Sequence, residues 1–109
     1  MVKNIFHDIP TVKNKEYFED LISSPAFKLE RIISVGNVSG VSDWYDQDHD
    51  EWVMVVRGGA ILQFNDPEAE LSLGPGDYIL IKAHQKHRVK WTDPEQETIW
   101  LALHFQATL

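Results

Sequence analysis

The sequence predicts one domain, an all-β sandwich or barrel, and three observations carry that prediction. Beyond Pro25 the chain runs as short apolar stretches separated by turn residues, with no helical period. Some of those stretches alternate in polarity at period two, the mark of strands with one buried face. The length of 109 residues suits one hydrophobic core but is too short for a second independent one. A composition 43% hydrophobic and 25% charged is that of a folded chain rather than a disordered tail.

The elements follow in order. Residues 14–24 put Tyr17, Phe18, Leu21 and Ile22 at i, i+1, i+4 and i+5, one face of a short helix that Pro25 would end. Residues 1–26 are therefore expected to form an N-terminal helical strap, and residues 27–109 a barrel. Strands are expected at 27–35, 51–57, 60–64, 71–73, 77–82, 87–91 and 98–105. Gly58-Gly59 can close a hairpin, Asn65-Asp66-Pro67 and Asp93-Pro94 break pairing, and Gly74-Pro75-Gly76-Asp77 supplies glycine where a positive φ is needed.

Charge and cysteine usage narrow the function. Seventeen Asp and Glu against ten Lys and Arg give a formal net charge of −7, which repels a phosphate backbone, so no nucleic-acid partner is expected. No basic amphipathic helix appears, and residues 1–10 lack the apolar run of a signal peptide, so the expectation is a cytoplasmic protein without membrane contact. With no cysteine, any metal must be held by nitrogen and oxygen.

Alternation then selects candidate site residues. In 87–91 the charged Arg88 and Lys90 share one face, which sends His87 inward with Val89 and Trp91. Glu51 shares a face with Val53 and Val55, opposite Trp52, Met54 and Val56, and both faces are apolar. An isolated buried charge costs several kcal/mol unless it is paired or coordinated, and a shared cation would supply the reason. If the chain before Glu51 is extended, Gln47, His49 and Glu51 lie on one face at two-residue steps and can converge with His87. His49, Glu51 and His87, with Gln47 as a further oxygen donor, make a two-histidine, one-carboxylate set suited to divalent Fe, Mn, Ni, Co or Zn. The competing readings are a neutral His87 bonded to a carbonyl, a Glu51–Arg57 salt bridge and a solvated His49.

These residues also carry a resemblance. Glu51 to Gly58 matches the E-x6-G end of the first cupin motif, and Gly76 to His87 resembles the second, G-x5-P-x-G-x2-H. The chain is identified on this basis as similar to small single-domain cupins, across most of residues 29–105. The resemblance implies a jelly-roll β-barrel in which Glu51 and His87 occupy metal-binding positions. It departs from the family at the opening H-x-H, where Tyr45 and Gln47, or Trp44 and Asp46, stand instead; Lys82 replaces the proline and His84 the glycine of the second motif.

Around this core the cluster Asp43, Asp46, Asp48 and Asp50 reads as a solvated loop, and His84 as an exposed turn residue. His104 alternates with Trp100 and Ala102 and can face the cavity as a fourth ligand or a proton donor. Trp52, Met54 and Val56 point to a homodimer contact. Two functions remain open: a metal-dependent enzyme of dioxygenase, isomerase or lyase type on a small molecule, or a non-catalytic barrel that binds or senses one. A barrel with a vestigial site is the third case.

Overall fold

A computed structural model describes residues 1–106. Eight strands follow one another, β1 (Tyr17–Ser23), β2 (Phe27–Ser34), β3 (Asp50–Arg57), β4 (Ala60–Asn65), β5 (Glu68–Leu73), β6 (Tyr78–Ile81), β7 (His87–Thr92) and β8 (Thr98–Phe105). They form a five-stranded sheet ordered β1-β2-β8-β3-β6 and a three-stranded sheet ordered β5-β4-β7, with every named pairing antiparallel. No helix of the described residues is long and apolar enough to cross a membrane. Residues 107–109, the end of the expected barrel, lie outside the described residues.

The expected N-terminal helix is not formed. Residues 17–23 are a strand, with Tyr17 opposite Ile33 and Phe18 opposite Ile32 on β2. The i, i+1, i+4, i+5 spacing satisfies a strand equally well, because the register shifts between Asp20 and Ile22 and resets the alternation. Pairing with β2 supplies a ladder of hydrogen bonds, whereas a lone helix of this length is marginal in water. Residues before β1 are tied to β2: Arg31 donates from Nη1 to the carbonyls of Ile5 (3.1 Å) and His7 (2.7 Å), and from Nη2 to that of Asp8 (3.1 Å).

Two further expectations change. Gly58 and Gly59 do not close a hairpin, since β3 and β4 belong to different sheets; they carry the chain from one layer to the other. Gly58 has φ +91°, and a Cβ there would meet Thr98 and the Glu97 carbonyl at 2.4–2.8 Å, so the crossing needs glycine. Trp91 does not share the inward face of His87. A register shift between Ile61 and Leu62 pairs Trp91 with Ile61 on the outside and turns Thr92 into the core.

Between the sheets pack Ile32, Val53, Val55, Leu62, Phe64, Leu73, Ile81, Trp100 and Ala102. Register converts that layering into a site. Across the large sheet one inward row runs Ile81, Glu51, His104, Lys28, and the next runs Ile79, Val53, Ala102, Glu30, Asp20. From the small sheet Phe64 pairs with His87, and an isolated bridge sets Tyr45 on the other side of that histidine.

Candidate metal and ligand site

Glu51 and His87 reach the same space from opposite layers because each sits on the inward phase of its strand. Both are buried, at 8% and 5% exposure. His87 is held between Tyr45, stacked with ring centroids 5.5 Å apart, and Phe64 at 6.0 Å. Its Nδ1–H donates to the Gln85 carbonyl at 2.9 Å, which fixes the tautomer and leaves the Nε2 lone pair directed at the cavity. That Nε2 lies 3.6 Å from Glu51 Oε1.

The loop before β3 is pinned to the β6–β7 turn by backbone hydrogen bonds. The Tyr45 N–H donates to the His87 carbonyl at 2.7 Å, the His87 N–H to the Tyr45 carbonyl at 3.2 Å, and the His84 N–H to the Gln47 carbonyl at 2.7 Å. Gln47 is thereby held over Glu51, its amide 3.3 Å from Oε1. Asp50 fixes the same turn from the other side, accepting from the Ala83 N–H (2.9 Å) and Lys82 Nζ (3.0 Å). The Ala83 N–H and Lys82 together hold the Asp50 carboxyl below the usual aspartate range. It is not part of a solvated acidic loop, unlike Asp48 beside it.

His49 lines the cavity with Gln47 and Glu51, but its ring turns to His104 rather than to His87. Its Nε2 is 2.9 Å from His104 Nδ1, and His104 Nε2 is 2.9 Å from Glu30 Oε1 and 3.9 Å from Glu51 Oε2. Glu51 therefore divides two groups, Gln47 and His87 at one oxygen and His104 at the other. Arg57 pairs with Glu97 and is no partner for Glu51. His84 is exposed and bonded to Asp46 at 3.0 Å; its φ of +65° keeps a left-handed turn at the position where the motif carries glycine.

The sequence reading missed Glu16, Phe18, Asp20, Lys28, Glu30 and Tyr45, all of which line the cavity. The signal for two of them was present: Lys28, Glu30 and Ile32 alternate along β2, so its inward face carries charge. Burial pushes the Glu30 carboxyl up, and the His104 hydrogen bond together with Lys28 outweighs it and brings Glu30 below the ordinary glutamate range. Burial raises Glu16 despite its hydrogen bond from Ser34, and raises Tyr45 with help from the charges of Glu16 and Glu51. The cavity measures about 480 Å³, within the range of small-molecule sites, and Ile32, Val53, Leu62, Ile81, Val89 and Trp100 form its apolar walls.

A family model described as a cupin domain matches residues 32–104. The chain belongs to the cupin family. Among solved structures, this cupin is similar to a protein from Ralstonia eutropha JMP134 that bears the provisional name mannose-6-phosphate isomerase, with 42% identity, TM-score 0.93, and 98% of this chain and 99% of that one covered. A cupin superfamily protein from Desulfitobacterium hafniense DCB-2 shares the fold at 16% identity and TM-score 0.74, over 90% of this chain and 84% of that one. The cobalt(II) form of HppE in complex with Tris buffer shares it at 12% identity and TM-score 0.70, over 90% of this chain and 57% of that one. No curated protein matches the sequence.

Cupins commonly bind a divalent metal, and the donor chemistry at Glu51 can be tested against one. Two ligands at about 2.1 Å from a first-row ion stand about 3.0–3.4 Å apart at angles near 90–110°. The separations at Glu51 Oε1, 3.3 Å to the Gln47 amide and 3.6 Å to His87 Nε2, come close to such edges. Turning the Gln47 amide over presents its oxygen. Among the described residues no three His, Asp or Glu side chains are already gathered to hold an ion, so the fit is an open one of two strong donors and an amide.

Proposed function

We propose that this cupin binds one divalent metal ion at Glu51 and His87, with Gln47 as the third protein ligand, and acts on a small molecule held in the adjoining cavity. The observation that carries this reading is the buried His87, whose Nδ1 is committed to the Gln85 carbonyl while Nε2 faces Glu51 without a hydrogen bond. A bound ion would polarise an oxygen of the substrate as a Lewis acid. Tyr45 and Phe64 orient His87, the apolar walls exclude water, and His104, bonded to Glu30 and His49, is the residue best situated to hold a proton beside the substrate. Isomerase, lyase and dioxygenase chemistry are the candidate reactions.

Adding Mn, Fe, Co, Ni or Zn to chelator-stripped protein is expected to raise its melting temperature. An ion at a hundredfold over its Kd stabilises the folded state by about 2.7 kcal/mol. No shift with any of the five at saturating concentration would rule the metal reading out. The second reading, a non-catalytic binding barrel, is favoured by the absence of three gathered strong ligands among the described residues.

We propose further that it works in the cytoplasm as a homodimer. Half-buried Trp52, Met54, Leu101 and Leu103 with exposed Tyr78 and Leu80 make one apolar surface on the outer face of the large sheet, bordered by Arg31, the cross-strand partner of Leu101, and the residues it binds. Monomeric proteins seldom leave such a surface open. Light scattering is expected to give twice the chain mass for the wild type and a monomer for Tyr78→Lys/Leu80→Lys; a monomeric wild type contradicts the dimer.

A further inference from the structure

The charge lining the cavity bears on which molecule it accepts. Among the described residues Glu16, Asp20, Glu30 and Glu51 line it, against a single fixed cation, Lys28, whose Nζ is already 3.5 Å from Glu30 Oε2. Four carboxylates against one ammonium leave an excess of three negative groups when all are ionised, and one bound divalent ion still leaves an excess of one. The three arginines are engaged elsewhere: Arg31 with Glu19 and the Ile5 and His7 carbonyls, Arg57 with Glu97, Arg88 with Gln63 and the Ser39 carbonyl. Among the described residues no helix offers an N-terminus to an anion. A phosphate or carboxylate entering this space would lose its water without gaining a guanidinium or a helix dipole.

Two geometric facts point to the opposite charge. Asp20 and Glu30 are directly paired across β1 and β2 and both line the cavity, a like-charge cross-strand pair that costs stability. Lys28 already brings an ammonium to Glu30, so the geometry there suits one. Deeper in, His87, only 5% exposed, directs an Nε2 with no hydrogen bond into the same cavity, between walls formed by Ile32, Val53, Leu62 and Trp100. The far end of the cavity is thus walled by apolar side chains around the polar pair His87 and Glu51, 3.6 Å apart, and a second acidic end lies at Asp20 and Glu30.

We infer that the cavity takes a small molecule with an apolar body and a cationic amine, the amine lying between Asp20 and Glu30, and that it rejects phosphate esters and carboxylates. The inference rests on the cavity being the ligand site, as proposed above. It also separates this chain from a phosphosugar substrate such as the name of its Ralstonia relative denotes.

The test is calorimetric titration with phenethylamine, 3-phenylpropionate, phenethyl phosphate and mannose 6-phosphate, on metal-loaded and on chelator-stripped protein. The amine is expected to bind at least about tenfold more tightly than each anion in both forms, in keeping with the energy of a charge-assisted hydrogen bond. The preference should vanish in Asp20→Asn/Glu30→Gln, which keeps side-chain volume, and should grow in Lys28→Met. Equal or tighter binding of either phosphate, no binding of the amine, or a preference that survives the double variant overturns the inference. Amine preference without any metal-dependent stabilisation would sink the metal reading alone, and metal retention without amine preference would sink this one alone.

Discussion

Glu51→Gln is expected to abolish metal-dependent stabilisation while leaving the metal-free protein as stable as the wild type or more so. The two effects have opposite causes. Removing the charge takes away the strongest oxygen donor at the site, and loss of even an outer partner of a metal ligand costs about 10–100-fold in affinity, so a direct ligand should cost more. In the metal-free protein the same change relieves a buried carboxylate that lines the same cavity as Glu30 and Glu16 and has only Gln47 and partial contact with His87 and His104. His87→Ala should lose the metal response as well but also destabilise the metal-free fold, because it opens a gap between Tyr45 and Phe64. His49→Ala should keep the metal response near that of the wild type, since its ring faces His104. Metal-dependent melting curves on the three variants check all of this; a response retained by Glu51→Gln contradicts the assignment.

The largest effect on stability is expected at Trp100. The side chain is 3% exposed, packs with Val55 and Ile32 on its inward row, and donates its indole N–H to Ser34 Oγ at 3.1 Å. Trp100→Ala removes the ring from the centre of the core and leaves Ser34, fully buried, with one partner fewer. A loss of about 3–5 kcal/mol follows from large-to-small core substitutions, with the lower end favoured because Trp100 already borders a cavity. Trp100→Phe keeps most of the packing and loses the hydrogen bond, for about 1 kcal/mol. Urea unfolding midpoints separate the two; a loss under about 1 kcal/mol for Trp100→Ala would contradict the packing account.

Much of this was legible before the structure, and the exceptions share a physical cause. His87 and Glu51 could be found because each stands at the start of a strand whose alternation is intact over the residues that immediately follow it. Trp91, four residues after His87, points outward because β7 carries an extra residue, Lys90, opposite the single step from Leu62 to Ile61 on β4, and a bulge is a property of the pair rather than of either segment. Tyr17–Ser23 read as a helix for the same reason, since the shift at Asp20 and Ile22 breaks period two. Gly58-Gly59 signalled a turn correctly but not which sheet the next strand would join, because a hairpin and a crossing both call for glycine there. His49 kept its two-residue step from Glu51, yet its partner is His104, 55 positions away, and only the β3–β8 register brings them together.

The central claim is that a metal ion sits at Glu51 and His87, and anomalous diffraction from crystals grown with cobalt or manganese tests it most directly. The account predicts one anomalous peak per chain, within bonding distance of Glu51 and His87 Nε2 and beside Gln47. A peak lying between His49 and His104 instead, or none at saturating metal, would contradict it.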